Sequence, residues 1–234
     1  MSSGETASAP STVILDRRSM PQFVLPLVVR VERASPPERT DALEAAARAV
    51  LTLLSDPRAT DGEWAEPVRA WEAGRIRKVV RRARGAGWRR VLALAGMTVT
   101  QGSADVRVHP PVPVEDWPPD LARLQVAGTD LADTMPPPEP DRAKPVLWLN
   151  PGLEMTAGKA MAQVGHGAQL AWWRLPGAAR YHRMAAGFAL AVRTATADRW
   201  AKLVERDLPL VRDGGFTEVS PGSCTVVADL PGLR

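Results

Sequence analysis

Three polar side chains recur at helical spacing in the segment 155–168 and could act together on a ligand. Lys159, Gln163 and His166 stand at positions i, i+4 and i+7, which places an ammonium, an amide and an imidazole on one helix face. An apolar, strand-like segment at 146–149 precedes them. Because a helix N-terminus with a lysine in its first turn attracts anions, this pattern predicts a polar, anion-binding helix face.

The same helix carries two glycines that need a structural reason. Gly165 and Gly167 would each cost roughly 1 kcal/mol inside a helix relative to alanine. We therefore expect another element, or a ligand, to approach the helix closely at these positions. The opposite face is made of Ala and Met, with Trp172 further along, and is expected to be buried.

The chain resembles the type-2 peptidyl-tRNA hydrolases in three motifs that occur in the family's order and at compatible spacing. The matching segments are Met155, Gly158-Lys159, Ala162-Gln163 and His166-Gly167, then 213–217 (Asp-Gly-Gly-Phe-Thr), then 221–225 (Pro-Gly-Ser-Cys-Thr). The resemblance covers residues 146 to about 232, less than half of the chain. One position departs from the family, because Phe216 stands where an Arg is usual. Any positive charge that this Arg supplies to RNA must come from elsewhere.

The resemblance implies hydrolysis of the ester that joins a peptide to the terminal ribose of tRNA. Such a reaction needs an activated water, a stabilised oxyanion and a protonated leaving oxygen. Asp213 would orient or deprotonate the water, and Lys159 would neutralise the oxyanion or pair with Asp213. If the two pair, positioning of the water is the favoured role for the carboxylate. We expect the two groups to meet in one water-accessible cleft, and which group activates the water stays open.

The remaining candidate residues have both a functional and a structural interpretation. Thr217 and Thr225 offer hydroxyls that could hold the water or the substrate carbonyl, although Thr is common in strands. Gln163 could contact substrate or bridge neighbouring groups. His166 could orient the peptide or the tRNA end without proton transfer, or be a core histidine. Cys224 is expected to fill the core, because no His or Asn is placed to activate it as a nucleophile.

Composition narrows the class of protein. The chain has 234 residues, 45% of them apolar, enough for one large domain or two small ones. Its apolar stretches are strand-sized, and its first residues lack the pattern of a secretory signal. A single cysteine excludes an internal disulfide and a thiolate metal cage, and three scattered histidines make a zinc site improbable. We predict a cytoplasmic protein with no membrane partner, no metal and no other cofactor.

A cluster of basic residues predicts binding to a polyanion. The net charge is +4 and the pI about 9.8, and no acidic residue interrupts the segment 75–90. The candidates for tRNA binding are Arg75, Arg77, Lys78, Arg81, Arg82 and Arg84. The alternative is a solvated helix face without a nucleic-acid partner.

Local patterns divide the chain into four parts. We predict a disordered lead-in at 1–20, a first domain at 21–110, a Pro-rich linker or arm at 111–144 and a second domain at 145–234. In the first domain the predicted strands are 23–31, 91–94 and 105–108, and the predicted helices are 37–54 and 64–84. In the second domain the predicted strands are 146–150, 187–193, 208–211 and 224–229. The predicted helices are 156–174 and 197–206. A loop through Gly177 is expected between the first of these helices and the strand 187–193.

The two domains look like diverged copies of one another. Strand 24–31 matches strand 146–150, helix 37–54 matches helix 156–173, and segment 77–84 matches 198–205. In this register Thr40, Glu44, Ala47 and Leu94 replace Lys159, Gln163, His166 and Asp213. The first domain would keep the fold and lose the chemistry. Since family members are homodimers, the chain could be a single-chain pseudo-dimer with one active centre, or could itself form a homodimer.

We therefore predict an α/β protein built from two related small mixed-sheet domains with packed helices, in a pseudo-twofold arrangement like a hydrolase dimer. The predicted activity is peptidyl-tRNA hydrolysis. One alternative is a non-catalytic tRNA- or RNA-binding or interaction protein that retains the fold. Another is an ester- or amide-cleaving enzyme with a substrate other than tRNA.

Overall fold

The computed structural model describes residues 22–215 and 218–233. The predicted lead-in at 1–20, the candidate Thr217 and its neighbour Phe216 lie outside these residues. The described chain is an α/β structure with two mixed sheets and helices packed on them, which confirms the predicted fold class at this level.

The first half of the chain forms a five-stranded sheet with four helices. Its elements are β1 (Phe23–Arg30), α1 (Arg39–Ser55), α2 (Pro57–Thr60), α3 (Ala65–Ala73), β2 (Lys78–Ala83), α4 (Gly85–Leu92), β3 (Met97–Gln101), β4 (Ala104–Val108) and β5 (Val112–Pro113). The main strand order is β2-β1-β4-β3, and β5 pairs with the start of β1. Strand β2 is parallel to β1, whereas β4 is antiparallel to both of its neighbours.

The second half forms a four-stranded sheet. Its elements are β6 (Val146–Leu149), α6 (Ala157–Arg174), α7 (Gly177–Ala185), β7 (Ala191–Thr194), α8 (Ala197–Val204), β8 (Leu210–Arg212) and β9 (Cys224–Asp229), with a 3₁₀ turn at Pro231–Leu233. The order is β7-β6-β9-β8, with β7 parallel to β6 and β9 antiparallel to both of its neighbours. Order and direction therefore repeat those of the first sheet, strand for strand.

The segment between the halves is an arm that packs against the first half. Helix α5 (Pro119–Ala122) buries Leu121 beside Trp88, and Gln125 bridges to Arg82 at the edge of β2. Further on, the carboxylate of Asp133 accepts hydrogen bonds from the backbone N and the hydroxyl of Thr40, at 2.7 and 2.6 Å. The arm is thus anchored at both the sheet edge and the start of α1.

The equivalent helices α1 and α6 pack on each other and join the two halves. One cluster of buried apolar side chains runs through both halves, and the glycines of α6 are buried as well. A Cβ at Gly165 would lie 3.1 Å from side-chain atoms of Val50 and Lys78, and one at Gly167 would lie 2.8 Å from Val226. The contacts are reciprocal, since α6 packs across onto β2 and α1 onto β7, as in an isologous interface.

Only the first part of the predicted helix over 64–84 is confirmed, as α3 (Ala65–Ala73). Helix α3 ends at Gly74, and the basic segment after it is strand β2, parallel to β1. Lys78, Val80 and Ala83 are buried and their neighbours are more exposed, so β-pairing set this structure and not the helix propensity of Arg and Lys. The matching of 77–84 with 198–205 is corrected as well: β2 corresponds to β7, and α4 to α8.

Three smaller predictions also need correction. Segment 91–94 is not a strand, because α4 buries Trp88 and Val91 one turn apart. The loop through Gly177 is instead helix α7. Strand β7 begins only at Ala191, after Gly187 and Phe188 have both taken positive φ values of 59° and 57°. Within 22–215 and 218–233, no helix has the length and hydropathy needed to cross a membrane.

Candidate functional site

An ion pair between Lys159 and Asp213 is the centre of the candidate site. The Lys159 Nζ lies 2.6 Å from Asp213 Oδ2, although the residues are 54 positions apart, and both side chains are about nine-tenths buried, with exposures of 10% and 7%. Gln163 Nε2 donates to the same oxygen at 2.7 Å. The structure thus brings together three residues predicted from the sequence and confirms the predicted meeting of the amine and the carboxylate.

Two local structures hold this pair in place. Thr156 caps α6 by accepting a hydrogen bond from the Lys159 backbone N at 3.3 Å, which places the lysine in the first helical turn. Asp213 follows β8, and its Oδ1 accepts from Gly215 N at 2.7 Å. Gly215 has φ of 74°, and a Cβ there would lie 2.3 Å from Pro221, so only glycine fits this turn.

Thr225 holds Gln163 in place and does not face the cleft. It is fully buried on β9, and its hydroxyl donates to Gln163 Oε1 at 2.6 Å. Since the amide oxygen is occupied, the amide nitrogen must point toward Asp213. The hydroxyl therefore orients Gln163, and the suggested contact of Thr225 with water or substrate carbonyl does not fit its burial.

The pair borders a cleft of about 760 Å³ that both halves of the chain and the arm enclose. The second half contributes Lys159, Gln163, His166 and residues 211–214, with Glu218 at the rim. The first half contributes residues 75–80, and the arm contributes Val126 and Ala127. The basic side chains in the lining are Arg75, Arg77, Lys78, Lys159 and Arg212. The cleft is therefore cationic, which suits an anionic substrate.

His166 lies one turn beyond Gln163, and its ring is in contact with Lys78. The distance from Lys78 Nζ to His166 Nδ1 is 3.2 Å. Burial, together with the charges of Lys78 and Lys159, holds the pKa of His166 well below its usual 6.5. The imidazole is thus neutral at neutral pH, and it lines the cleft without bearing a charge.

The predicted tRNA-binding residues separate into two groups. Arg75, Arg77 and Lys78 line the cleft. Arg81, Arg82 and Arg84 do not: Arg81 donates to the carbonyls of Ala122 and Leu124 and stacks over Trp117, and Arg82 donates to Gln125. The predicted helix could not separate the two groups. In the structure the start of β2 and the loop before it line the cleft, whereas the rest of β2 contacts the arm.

In the first half, the location that corresponds to the candidate site is filled by other side chains. Glu44 on α1 accepts hydrogen bonds from Gln101 Nε2, at the end of β3, and from Arg193 Nη1 of β7, at 3.1 and 2.9 Å. Glu44 is the residue that the sequence alignment matches to Gln163. The alignment of Leu94 with Asp213 is not supported, because Gln101 ends β3 as Arg212 ends β8.

Sequence reasoning missed several contributors to the site. Gln169 is fully buried and accepts from Lys78 Nζ at 2.5 Å. It lies three positions after His166, so a longer search along the helix face would have found it. Glu218 accepts hydrogen bonds from the backbone N and the hydroxyl of Thr156 at 2.9 and 2.8 Å.

Among the residues with described positions, no cluster of three or more His, Cys, Asp or Glu side chains could hold a metal ion.

Comparison with known proteins adds no family. No protein-family model matches the chain, and no curated protein matches it at a significant level. The geometry of the cleft and the three sequence motifs are therefore the features from which a function can be inferred.

Proposed function

We propose that the protein hydrolyses the ester bond of peptidyl-tRNA and releases free tRNA and peptide. The observation that carries this proposal is the Lys159–Asp213 pair, at 2.6 Å, at the edge of a wide cationic cleft. The resemblance to type-2 peptidyl-tRNA hydrolases rests on motifs that include these two residues. The cleft supplies the positive charge that an RNA substrate requires.

The reaction divides among the three side chains as follows. Asp213 accepts a hydrogen bond from the attacking water and fixes its position beside the ester carbon. As the water oxygen bonds to that carbon, Lys159 stabilises the negative charge on the former carbonyl oxygen. The bond from carbon to ribose oxygen then breaks, and the proton lost by the water goes to the ribose oxygen. Gln163 donates a hydrogen bond to the Asp213 carboxylate and keeps it beside the Lys159 ammonium.

The first half takes the place of a second subunit in this proposal. Its sheet repeats the strand order of the second half, and its helix α1 packs on α6. Its own candidate site is occupied by Glu44, Gln101 and Arg193. The chain then acts as a pseudo-dimer with one active centre, in which the first half provides Arg75, Arg77 and Lys78 to the cleft of the second.

Hydrolysis of a defined peptidyl-tRNA by the purified protein tests the activity. The wild-type protein should release free tRNA, and Asp213→Asn, which keeps the shape of the side chain, should lose at least about 100-fold in kcat. Asp198→Asn on α8 is the matched control and should keep full activity. Equal rates for Asp213→Asn and wild type would attribute the hydrolysis to a contaminant.

A non-catalytic RNA-binding function is the second candidate. It is favoured by the hydrogen bonds that Asp213 already accepts, one on Oδ1 from Gly215 and two on Oδ2 from Lys159 and Gln163. A carboxylate has about four acceptor sites, so only about one, on Oδ1, is left for a water. Salt-dependent tRNA binding by wild type, without hydrolysis under single-turnover conditions, would select this function.

A further inference from the structure

Lys78 enters the cleft of the second half from the first half, and two oxygen acceptors and a ring nitrogen surround its amine. Nζ lies 2.5 Å from Gln169 Oε1, 3.2 Å from His166 Nδ1 and 3.4 Å from the carbonyl oxygen of Ile76. It also lies 4.8 Å from the centroid of the Trp71 ring. The residue is only 8% exposed, although it belongs to the edge strand β2. This is a built environment for an amine and not a chance surface contact.

The loop before β2 is shaped to provide one of these acceptors. Ile76 has φ of 46°, in the left-handed region that β-branched residues avoid. Its carbonyl oxygen is the second oxygen acceptor for Lys78. A strained residue whose carbonyl is directed at a cleft lysine indicates that the position of this lysine is closely determined.

The protonation state of the Lys78 amine determines which nitrogen of His166 carries the hydrogen. Gln169 Oε1 and the Ile76 oxygen can only accept, so they take two hydrogens from Lys78. An ammonium has a third hydrogen, which points to His166 Nδ1 and makes that nitrogen an acceptor. A neutral amine would instead present its lone pair and require a hydrogen on Nδ1. The two oxygen acceptors and the face of Trp71 favour the ammonium over the neutral amine.

Burial acts in the opposite direction on the lysine. It lowers the pKa of Lys78 well below its usual 10.5, while the charge of Glu72 raises it. The hydrogen bonds to the two oxygens and the contact with the Trp71 ring act against this effect by favouring the charged form. In the part of the chain with described positions, no group hydrogen-bonds to His166 Nε2, and the ring lines the cleft.

We propose that Lys78, as an ammonium, fixes His166 as the neutral tautomer with its hydrogen on Nε2, so that the imidazole donates a hydrogen bond to a substrate oxygen in the cleft. Lys78 is then a positioning residue supplied by the first half, and His166 is a donor and not a general base. The contact with substrate rests on the proposed hydrolase function. The tautomer does not, because it is a property of the free protein.

Nitrogen NMR of the free protein tests the tautomer directly. The chain has three histidines, so ¹⁵N-histidine labelling gives few signals, and the signals of His166 are those lost in His166→Gln. We expect a pyridine-like Nδ1 and a protonated Nε2 at neutral pH. Hydrogen on Nδ1 in the wild-type protein would overturn the proposal, and this measurement requires no variant at Lys78.

Two variants then test the role of the lysine. In Lys78→Met the signals of His166 should move toward an average of the two tautomers, whereas Lys78→Arg should keep the wild-type pattern. Lys202→Met on α8 is the control for loss of a distant lysine and should change nothing. An unchanged pattern in folded Lys78→Met would show that the lysine does not determine the tautomer.

Kinetics test the contact with substrate. Lys78→Met should lower kcat for peptidyl-tRNA about tenfold with little change in KM, because the donor acts as charge develops. His166→Gln, whose amide retains a donor near the position of Nε2, should keep more activity than His166→Asn. Equal losses in these two variants would reject the donor role. The predicted tautomer in a protein that cleaves no peptidyl-tRNA would reject the hydrolase proposal and leave the assignment of Lys78 intact.

Discussion

Glu44 and Arg193 form an ion pair that links the first half of the chain to the second. Arg193 Nη1 lies 2.9 Å from Glu44 Oε1, with side-chain exposures of 13% and 8%, and the same oxygen accepts from Val192 N at 3.1 Å. Glu44 on α1 matches Gln163 on α6 in the register of the two halves, so the pair lies at the first half's counterpart of the candidate site. One location thus serves assembly of the halves, and the other opens into a cleft.

We expect loss of the Glu44 charge to destabilise the protein strongly. Glu44→Gln leaves Arg193 buried without a counterion, which costs about 3–5 kcal/mol. Urea unfolding should show this as a lower free energy of unfolding. Asp120→Asn, which removes the partner of Arg90 in an exposed pair, should cost less than about 1 kcal/mol. Similar losses in the two variants would show that burial of the Glu44 pair has no energetic consequence.

Lys159 and Asp213 should behave as one unit in catalysis. We expect Lys159→Met and Asp213→Asn each to lower kcat by at least about 100-fold, and the double variant to be little worse than either, because the groups share one network. Circular dichroism checks that each variant folds. Multiplicative losses in the double variant would contradict a shared role.

The hydroxyl of Thr225 should matter through Gln163. Thr225→Val keeps the shape but removes the donor to Gln163 Oε1, which leaves a buried acceptor unpaired at about 1–3 kcal/mol. We expect lower stability and reduced kcat, because the amide loses its fixed orientation. Thr225→Ser keeps the hydroxyl and should restore most of both. If Thr225→Ser were as impaired as Thr225→Val, the methyl group and not the hydroxyl would be the important feature.

His109 should make folding sensitive to pH between about 4 and 6.5. Burial lowers the pKa of His109 to about 4, while its hydrogen bond to the Ala95 carbonyl, at 2.6 Å, partly opposes this effect. The unfolded chain therefore binds a proton first as pH falls from 6.5, and stability decreases by about 3 kcal/mol down to pH 4. Above pH 6.5 this contribution is constant.

Comparison with His109→Leu isolates that contribution, because carboxylates titrate in the same range in both proteins. The difference in unfolding free energy between wild type and variant should change with pH over this window, as measured by urea titration at several pH values. A difference that stays constant from pH 7 to pH 4 would mean that His109 protonates equally in both states.

The basic residues of the cleft should contribute more to tRNA affinity than those on the far part of β2. We expect Arg75→Ala with Arg77→Ala to weaken binding and to reduce the slope of log K against log salt by about 2. Arg82→Ala with Arg84→Ala provides a charge-matched comparison and should have a smaller effect. Equal effects would extend the RNA contact beyond the cleft.

The sequence predicts the second half well because its signals are local. The i, i+4, i+7 spacing from Lys159 to His166 lies within one helix. The pairing of Lys159 with Asp213 spans 54 residues, and the three motifs that resemble those of a hydrolase family made it predictable. Composition or periodicity alone would not have joined these two groups.

The first half was harder because its structure is fixed by distant partners. Helix-favouring residues at 78–83 form a strand since β1 is available as a parallel neighbour. The burial of Lys78 depends on α6 of the other half, where Gly165 leaves room for its side chain. No sequence pattern within the segment 75–84 indicates that α6 packs against Lys78.

The arm from residue 111 to 144 and the packing of α1 on α6 have a consequence for solutions of this protein. In an assembly of separate subunits, dilution releases the partner that completes a site. Here both walls of the cleft belong to one polypeptide, so the arm maintains their effective concentration at any dilution. The affinity of the cleft for its ligand should therefore be the same at nanomolar as at micromolar protein.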